Sequence, residues 1–276
     1  MEQFKHIPHF LYGTAWKEER TEGAVMEALK AGFLGIDTAN QRKHYFEEAV
    51  GIGISNFLKT SGKKRDDLFL QTKYTYQRGQ DHRLPYDPDA KFSVQVQQSF
   101  EKSLQHLQTD YLDSFVLHGP YGYGIQDEDF EVWTAMEKIQ KEGKAKFLGV
   151  SNVDSDQLMS LHQFAKIKPK FVQNRCYART GWDKDVRKFC KENQIIYQGF
   201  SLLTANMREL MTSTIHAIAE KYDKTVPQII FKFAIQTGML PLTGTTNPTH
   251  MKEDLKIQDF ELNSDEMQTI ETISQS

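Results

Sequence analysis

The run Leu112-Asp113-Ser114-Phe115-Val116-Leu117-His118-Gly119 is short, apolar at its centre, and stops at a glycine. Phe130, Trp133, Met136 and Ile139 then recur at helical spacing, and Ala145-Lys146-Phe147-Leu148-Gly149-Val150-Ser151-Asn152 is a second short apolar run. A short strand, an amphipathic helix with one apolar face and another short strand make a βαβ unit, whose two strands run parallel. Working outward in both directions, the same rhythm fills the chain. Further strand segments are expected at Phe10–Trp16, Gly35–Thr38, Leu68–Tyr74, Phe171–Cys176, Ile195–Ser201 and Met239–Gly244. Turn residues such as Gly13, Gly32, Gly143 and Gly244 flank them. Val96, Phe100, Leu104 and Leu107 mark the buried face of the helix before Leu112. After the last unit, Ser264 is placed to cap a final helix carrying Met267, Ile270 and Ile273.

Eight such units in 276 residues predict an α/β fold, a (β/α)8 TIM barrel forming a single domain over 1–276. A doubly wound open sheet is the alternative, but it calls for a glycine-rich phosphate turn after the first strand. The nearest candidate, Gly51-Ile52-Gly53, lies inside a helical pattern, lacks the third glycine, and reads as helix packing.

Composition narrows the function. The net charge of −3 with scattered lysines and arginines excludes an extended basic face for nucleic acid. Cys176 and Cys190 form no CxxC pair and have no histidine cluster beside them, so no zinc site is expected. Two thiols in a chain this long suit a reducing compartment. Met1 to Pro8 is polar rather than an apolar signal segment, and no apolar run approaches the roughly 20 residues that span a bilayer. The expectation is a cytoplasmic protein with no membrane and no nucleic-acid partner.

In a closed barrel the reacting groups gather at the C-terminal ends of the strands. The second strand ends in Asp37, with Tyr45 a few residues beyond; the third reaches Lys73; the fourth ends in His118. Taken singly, each has a structural explanation: a turn cap, a half-buried aromatic, a snorkelling lysine, a satisfied histidine. At successive strand ends they form a set suited to protonating a carbonyl oxygen. Hydride arriving at the carbonyl carbon leaves negative charge on the oxygen. Tyr45 is then the general acid, Lys73 the cation expected to lower its pKa, Asp37 the anchor of Lys73, and His118 a further donor to the substrate oxygen.

Here the residues resemble a known family, the aldo-keto reductases. Gly35-Ile36-Asp37-Thr38-Ala39 resembles its aspartate motif, Tyr45-Phe46-Glu47-Glu48 leading to Val50-Gly51 its tyrosine motif, and Leu70-Gln71-Thr72-Lys73 its lysine strand. Asp110-Tyr111-Leu112-Asp113 followed by Leu117-His118-Gly119-Pro120 resembles the histidine strand. Gly149-Val150-Ser151-Asn152 and Phe171-Val172-Gln173-Asn174 resemble the two strands that hold a nicotinamide carboxamide. The resemblance covers almost the whole chain in the right order. It implies NAD(P)H-dependent reduction of aldehydes or ketones, with Asp37, Tyr45, Lys73 and His118 as the catalytic tetrad. Ser151, Asn152 and Gln173 would orient the nicotinamide. Phe200 would stack on its ring where the family usually has tyrosine, with Ser201 and Leu203 following. Gly13, Thr14 and Ala15 would lie near its ribose.

The sequence also departs from the family. The gap from Asp37 to Tyr45 is longer than usual, and strict spacing would put Arg42 at the acid's place. Tyr45 is preferred because an arginine releases no proton usefully and because Glu48 follows the tyrosine. The family's tryptophan after the histidine is Gly119 here, which should open the substrate pocket. Tyr121, Tyr123, Trp182 and Met207 are candidate apolar walls, and Arg175 and Arg179 candidate anion contacts.

The segment Thr243-Gly244-Thr245-Thr246-Asn247-Pro248 fits a phosphate-binding helix start, with Asn247 as cap and Pro248 as first helical residue. Thr245 and Thr246 lie in that phosphate-binding segment, His250 and Lys252 could partly supply the positive charge a 2′-phosphate needs, and Glu253 and Asp254 match the acidic and amide positions that contact adenine. The lysine and arginine of NADP-specific members are missing at the aligned positions. NADPH remains the expected cofactor, with NADH possible. No metal is expected, and a monomer is the expected state. Two other functions are weighed: a non-catalytic, cofactor-sensing regulatory or binding module of the same fold, and a barrel isomerase or aldolase using Lys73 as a Schiff base.

Overall fold

Every expected strand segment contains a strand. The computed structural model describes Ile7 to Ser274; Met1 to His6, and with them most of the polar leader stretch, lie outside the described residues, as do Gln275 and Ser276. The strands are β1 Leu11–Gly13, β2 Gly35–Asp37, β3 Phe69–Tyr74, β4 Leu112–Leu117, β5 Ala145–Ser151, β6 Phe171–Arg175, β7 Ile196–Phe200 and β8 Leu240–Thr243. All pair in parallel in sequence order, and β8 returns to β1 through Leu11 and Leu242, closing the barrel. The helices are α1 Thr21–Ala31, α2 Glu47–Ser61, α3 Phe92–Leu107, α4 Asp127–Lys141, α5 Ser155–Phe164, α6 Lys184–Glu192, α7 Met207–Leu210, α8 Ser213–Tyr222, α9 Val226–Gln236, α10 Pro248–Leu255 and α11 Ser264–Glu271.

Side chains alternate along each strand, so residues two apart share the barrel interior. At the N-terminal end Leu11, Phe69, Phe171, Leu240 and Leu242 plug it with an apolar cluster. Two residues further on, β2, β3, β6 and β7 contribute Asp37, Gln71, Gln173 and Gln198, all buried. The interior is therefore greasy below and polar above, and the polar layer faces the end where the βα loops meet. The opposite strand faces carry Leu70, Phe115, Leu148 and Val172 into the layer beneath the helices, where Phe100 of α3 packs on Phe115 with ring centroids 5.0 Å apart.

The paired glycines of α2 are explained by packing. A Cβ on Gly51 would come within 2.0 Å of the His106 carbonyl oxygen on α3, and one on Gly53 within 2.9 Å of the Glu22 carbonyl on α1. One cap differs from expectation: Asn263, not Ser264, caps α11, its Oδ1 accepting from the Asp265 and Glu266 amides. Asparagine's planar amide oxygen reaches both orphan N–H groups from the residue before the helix, leaving Ser264 as the first helical residue.

Candidate active site

Lys73 sits on β3, fully buried, and its Nζ donates to both Asp37 carboxylate oxygens at 2.8 and 2.7 Å and to the Thr38 carbonyl at 2.8 Å. Three acceptors match the three protons of an ammonium, so the side chain is fixed in place. Burial pushes the Lys73 pKa down, while Asp37 and then Glu47 pull it back up. Tyr45 lies just before α2, with the Lys73 ammonium 5.1 Å from its ring centroid and the His118 ring 5.9 Å away, edge-on.

His118 follows β4 directly. Its amide donates to the Tyr74 carbonyl at 2.9 Å, and its Nδ1 lies 2.6 Å from the Thr75 hydroxyl. Burial, then Lys73 and His44, push the imidazole down to about 3, so it is neutral at physiological pH. With Nδ1 engaged by Thr75, Nε2 is the nitrogen left for a ligand.

The phenol differs from expectation. Burial, and next the Asp37 carboxylate, hold Tyr45 above the usual tyrosine range rather than below it. All three Lys73 protons are engaged by Asp37 and Thr38, so the ammonium, 5.1 Å from the ring centroid, makes no hydrogen bond to the phenol in the resting site. The phenol is thereby kept protonated, which is the state a proton donor needs.

The longer loop before Tyr45 folds outward. His44 stacks on Trp16 with ring centroids 3.9 Å apart, and the Trp16 amide donates to the His44 carbonyl at 2.7 Å. Arg42 reaches Glu18 at 3.1 Å and lies over the Phe46 ring. Tyr45 lines the cleft described below; Arg42 lines a neighbouring cavity instead. The acid that secures α2 is Glu47, not Glu48. Glu47 is buried, accepts from the Thr72 hydroxyl at 2.5 Å and pairs with His106 at 2.9 Å, whereas Glu48 is exposed. Glu47 thus ties the start of α2 to the residue beside Lys73.

A cleft of about 420 Å³ opens above these groups. Asp37, Tyr45 and His118 face it, together with Gly13 and Ala15 from the β1 end, Ser151 from β5 and Gln173 from β6. Phe200, Ser201 and Leu203 line the β7 side, and Thr245 and His250 the β8 side. Other expected residues stand back from it. Thr14 is buried beneath, its hydroxyl donating to the Asp37 carbonyl at 3.0 Å. Asn152 adopts a left-handed conformation and its Nδ2 donates to the His118 carbonyl at 2.8 Å, holding the histidine's loop. Thr246 is exposed beside Asn247, which caps α10 by accepting from the Thr249 amide at 2.9 Å. Glu253 and Asp254 lie further along α10; burial pushes Asp254 up to about 6.

The candidate walls fare differently. Trp182 belongs to the core, fully buried with its indole N–H donating to the Ile270 carbonyl at 2.8 Å. Tyr123 and Met207 are exposed, and neither they nor Arg175 and Arg179 line the cleft.

Sequence reading missed Lys17. It lines the cleft, is only 4% exposed, and its Nζ donates to the Gly244 carbonyl at 2.8 Å. Burial pushes its pKa down to about 8, with Arg20 adding to the effect. It brings a cation from the β1 loop to the β8 loop, where the local sequence has none. The signal was a lysine four residues past Gly13, at a strand end. Among the described residues no cluster of His, Cys, Asp or Glu could hold a metal, and no helix is long and apolar enough to cross a membrane.

Comparison with known proteins identifies the class. The chain belongs to the aldo/keto reductase family, whose profile matches residues 11–275; it is an oxidoreductase of a family that carries out NAD(P)H-dependent reduction of small-molecule carbonyl compounds. It is 34% identical over 256 residues to the glyoxal reductase of Bacillus subtilis (strain 168), covering 93% of this chain and 84% of that protein. The crystal structure of an aldo/keto reductase from Brucella melitensis superposes with a TM-score of 0.82 at 32% identity, covering 98% of this chain and 96% of that one. A Bombyx mori aldo-keto reductase in complex with NADP superposes with a TM-score of 0.82 at 25% identity, covering 97% and 89%.

Proposed function

We propose that this protein reduces a small aldehyde or ketone with NADPH, accepting NADH as well, and that Tyr45 is the proton donor. The observation that carries the reading is geometric: the Tyr45 phenol faces the cleft with the fully bonded Lys73–Asp37 pair behind it, the ammonium 5.1 Å from its ring centroid, and the His118 ring edge-on at 5.9 Å. The residues present fit a nicotinamide nucleotide. Phe200 offers an aromatic face, and Gln173 and Ser151 offer polar edges beside it. Lys17, Thr245, Thr246 and His250 gather at the capped start of α10, which suits phosphate. Asn152 steadies the His118 loop at the β4 end, Gly13, Ala15, Ser201 and Leu203 line the walls, and Thr14 braces the Asp37 backbone from beneath. Glu253 and Asp254, on α10 beyond the cleft, are the residues assigned to the adenine in this reading.

Bound cofactor supplies the hydride. The chain's own groups do the rest. The neutral His118 donates from Nε2 to the carbonyl oxygen and aligns it with the Tyr45 hydroxyl. As charge grows on that oxygen, Tyr45 gives up its proton, and the nearby Lys73 ammonium steadies the phenolate left behind. Asp37 keeps Lys73 charged and still. The Bacillus relative is a glyoxal reductase, so small reactive dicarbonyls are the first substrates to try. The two buried free thiols suit a reducing compartment such as the cytoplasm.

The test is the consumption of NADPH, and separately NADH, with aromatic aldehydes and glyoxal-type dicarbonyls. Turnover with NADPH preferred is the expected result. Cofactor binding without turnover across the panel would favour the cofactor-sensing module instead.

Lys17 makes a second expectation. With a pKa of about 8 its charge is present below that pH and lost above it. NADPH affinity should therefore fall several-fold as pH rises from neutral to alkaline, less steeply if the bound phosphate raises the lysine's pKa. Lys17→Met should bind about tenfold more weakly at neutral pH and show a flatter pH profile, as loss of one charge-assisted contact implies. Cofactor titration by fluorescence quenching reads both; unchanged affinity in the variant would remove Lys17 from the phosphate site.

A further inference from the structure

The His118 ring is held from one side. Its Nδ1 lies 2.6 Å from the Thr75 hydroxyl, and among the described residues that is the ring's one hydrogen bond. Thr75 follows β3 directly and is buried. Its carbonyl accepts from the Tyr86 hydroxyl at 2.7 Å and from Gln80 Nε2 at 3.3 Å, which fixes its backbone. The residue before it, Tyr74, takes the His118 amide, so the main chain and the ring of His118 are tied to consecutive residues at the β3 end. Lys73 does not compete for the ring, since its three protons go to Asp37 and Thr38. Thr75 does not line the cleft.

A neutral imidazole carries its proton on Nδ1 or on Nε2, and the partner of one nitrogen decides the state of the other. The contact between Thr75 and His118 allows two arrangements. In one, the hydroxyl donates to a bare Nδ1, and the ring proton sits on Nε2, the nitrogen turned away from Thr75. In the other, Nδ1–H donates to the hydroxyl oxygen, and the hydroxyl's own proton then needs a second acceptor. Among the described residues the Thr75 hydroxyl has no partner besides Nδ1. A buried donor left unmet is costly, so the arrangement with the proton on Nε2 prevails. Turning the ring over would set a C–H against the hydroxyl and lose the bond.

We infer that Thr75 is a positioning residue: its hydroxyl donates to His118 Nδ1 and so keeps the ring proton on Nε2, ready for the carbonyl oxygen of the substrate. The inference rests on the proposed carbonyl reduction and adds to it what makes His118 a donor. Thr75 touches neither substrate nor cofactor; it acts through the imidazole. In the opposite tautomer Nε2 would turn a lone pair on the carbonyl oxygen, and the repulsion would grow as negative charge develops there.

Heteronuclear NMR of protein labelled in its histidine ring nitrogens reads the tautomer directly, because a protonated ring nitrogen and a bare one resonate far apart. The His118 signals are assigned by their loss in His118→Gln. Near neutral pH, wild type should show Nε2 protonated and Nδ1 bare. Thr75→Val keeps the shape and removes the hydroxyl. It should populate both tautomers and lower kcat/KM for an aldehyde about tenfold, the usual scale of one good hydrogen bond, with NADPH affinity within about twofold of wild type. Thr75→Ser keeps the hydroxyl and should restore the single tautomer and most of kcat/KM. A proton on Nδ1 in wild type overturns the inference whether or not any variant folds. Wild-type kcat/KM in Thr75→Val, or a Thr75→Ser variant as slow as Thr75→Val, also overturns it while leaving the reductase reading standing. Absence of carbonyl turnover in wild type overturns the proposed function and, with it, the role given to Thr75.

Discussion

Tyr45→Phe is expected to lower kcat by about 10²- to 10⁴-fold, the usual scale of a positioned general acid, while NADPH affinity stays within about twofold of wild type. The ring remains, so its packing between Lys73 and His118 is kept; only the ionisable oxygen is lost. His118 cannot replace it, because its imidazole is neutral down to about pH 3 and holds no acidic proton near neutrality. Steady-state kinetics with the best aldehyde, beside a cofactor titration, separate the two effects. KM for the aldehyde should change little compared with kcat, since the phenol acts chiefly as charge develops. Wild-type activity in the variant would move the acid elsewhere and reopen the spacing question that Arg42 raised.

That question shows where sequence reading reached its limit. The strands were legible because each is a short apolar run that closes on a turn residue, and because eight of them alternate with helical patterns. The residues at strand ends were legible for the same reason: a barrel collects them at one mouth. What happens within a loop was not. The extra residues before Tyr45 are taken up by the Trp16–His44 stack and the Arg42–Glu18 pair, contacts between segments far apart in sequence. Glu47 and Glu48 are adjacent and identical in type, and only the position of His106 on α3 and Thr72 on β3 decides which is buried. Lys17 was not singled out in the sequence, because only the β8 loop brought against it gives it a role. Gln71 and Gln198 drew no reading of their own, although their two-residue spacing from Phe69 and Ile196 puts them on the inward face. Direction of charge was hardest: the effect of Lys73 on Tyr45 depends on whether the ammonium is free or bonded to Asp37, and here it is bonded.

That bond sets the other large effect. Lys73→Met should destabilise the fold by about 3 to 5 kcal/mol, because it takes the cation away from the buried Asp37 carboxyl and leaves that group without its partner. Activity should vanish with it, since the phenolate formed at Tyr45 would have no cation beside it. The single variant alone confuses folding with chemistry. Asp37→Asn combined with Lys73→Met removes both charges and keeps two side chains of nearly native size, and the carbonyl oxygen of the introduced amide still accepts from Gln71 and Gln173. Replacing both members of a buried pair by neutral groups of similar volume is often close to neutral in stability. The double variant should therefore recover most of the lost thermal stability, bind NADPH, and remain without turnover. Thermal unfolding read beside cofactor titration and aldehyde reduction tests this. Recovery of stability together with activity would show that proton transfer from Tyr45 needs no charge behind it; loss of stability in both variants alike would place the role of Lys73 in its contact with the Thr38 carbonyl rather than in its pairing with Asp37.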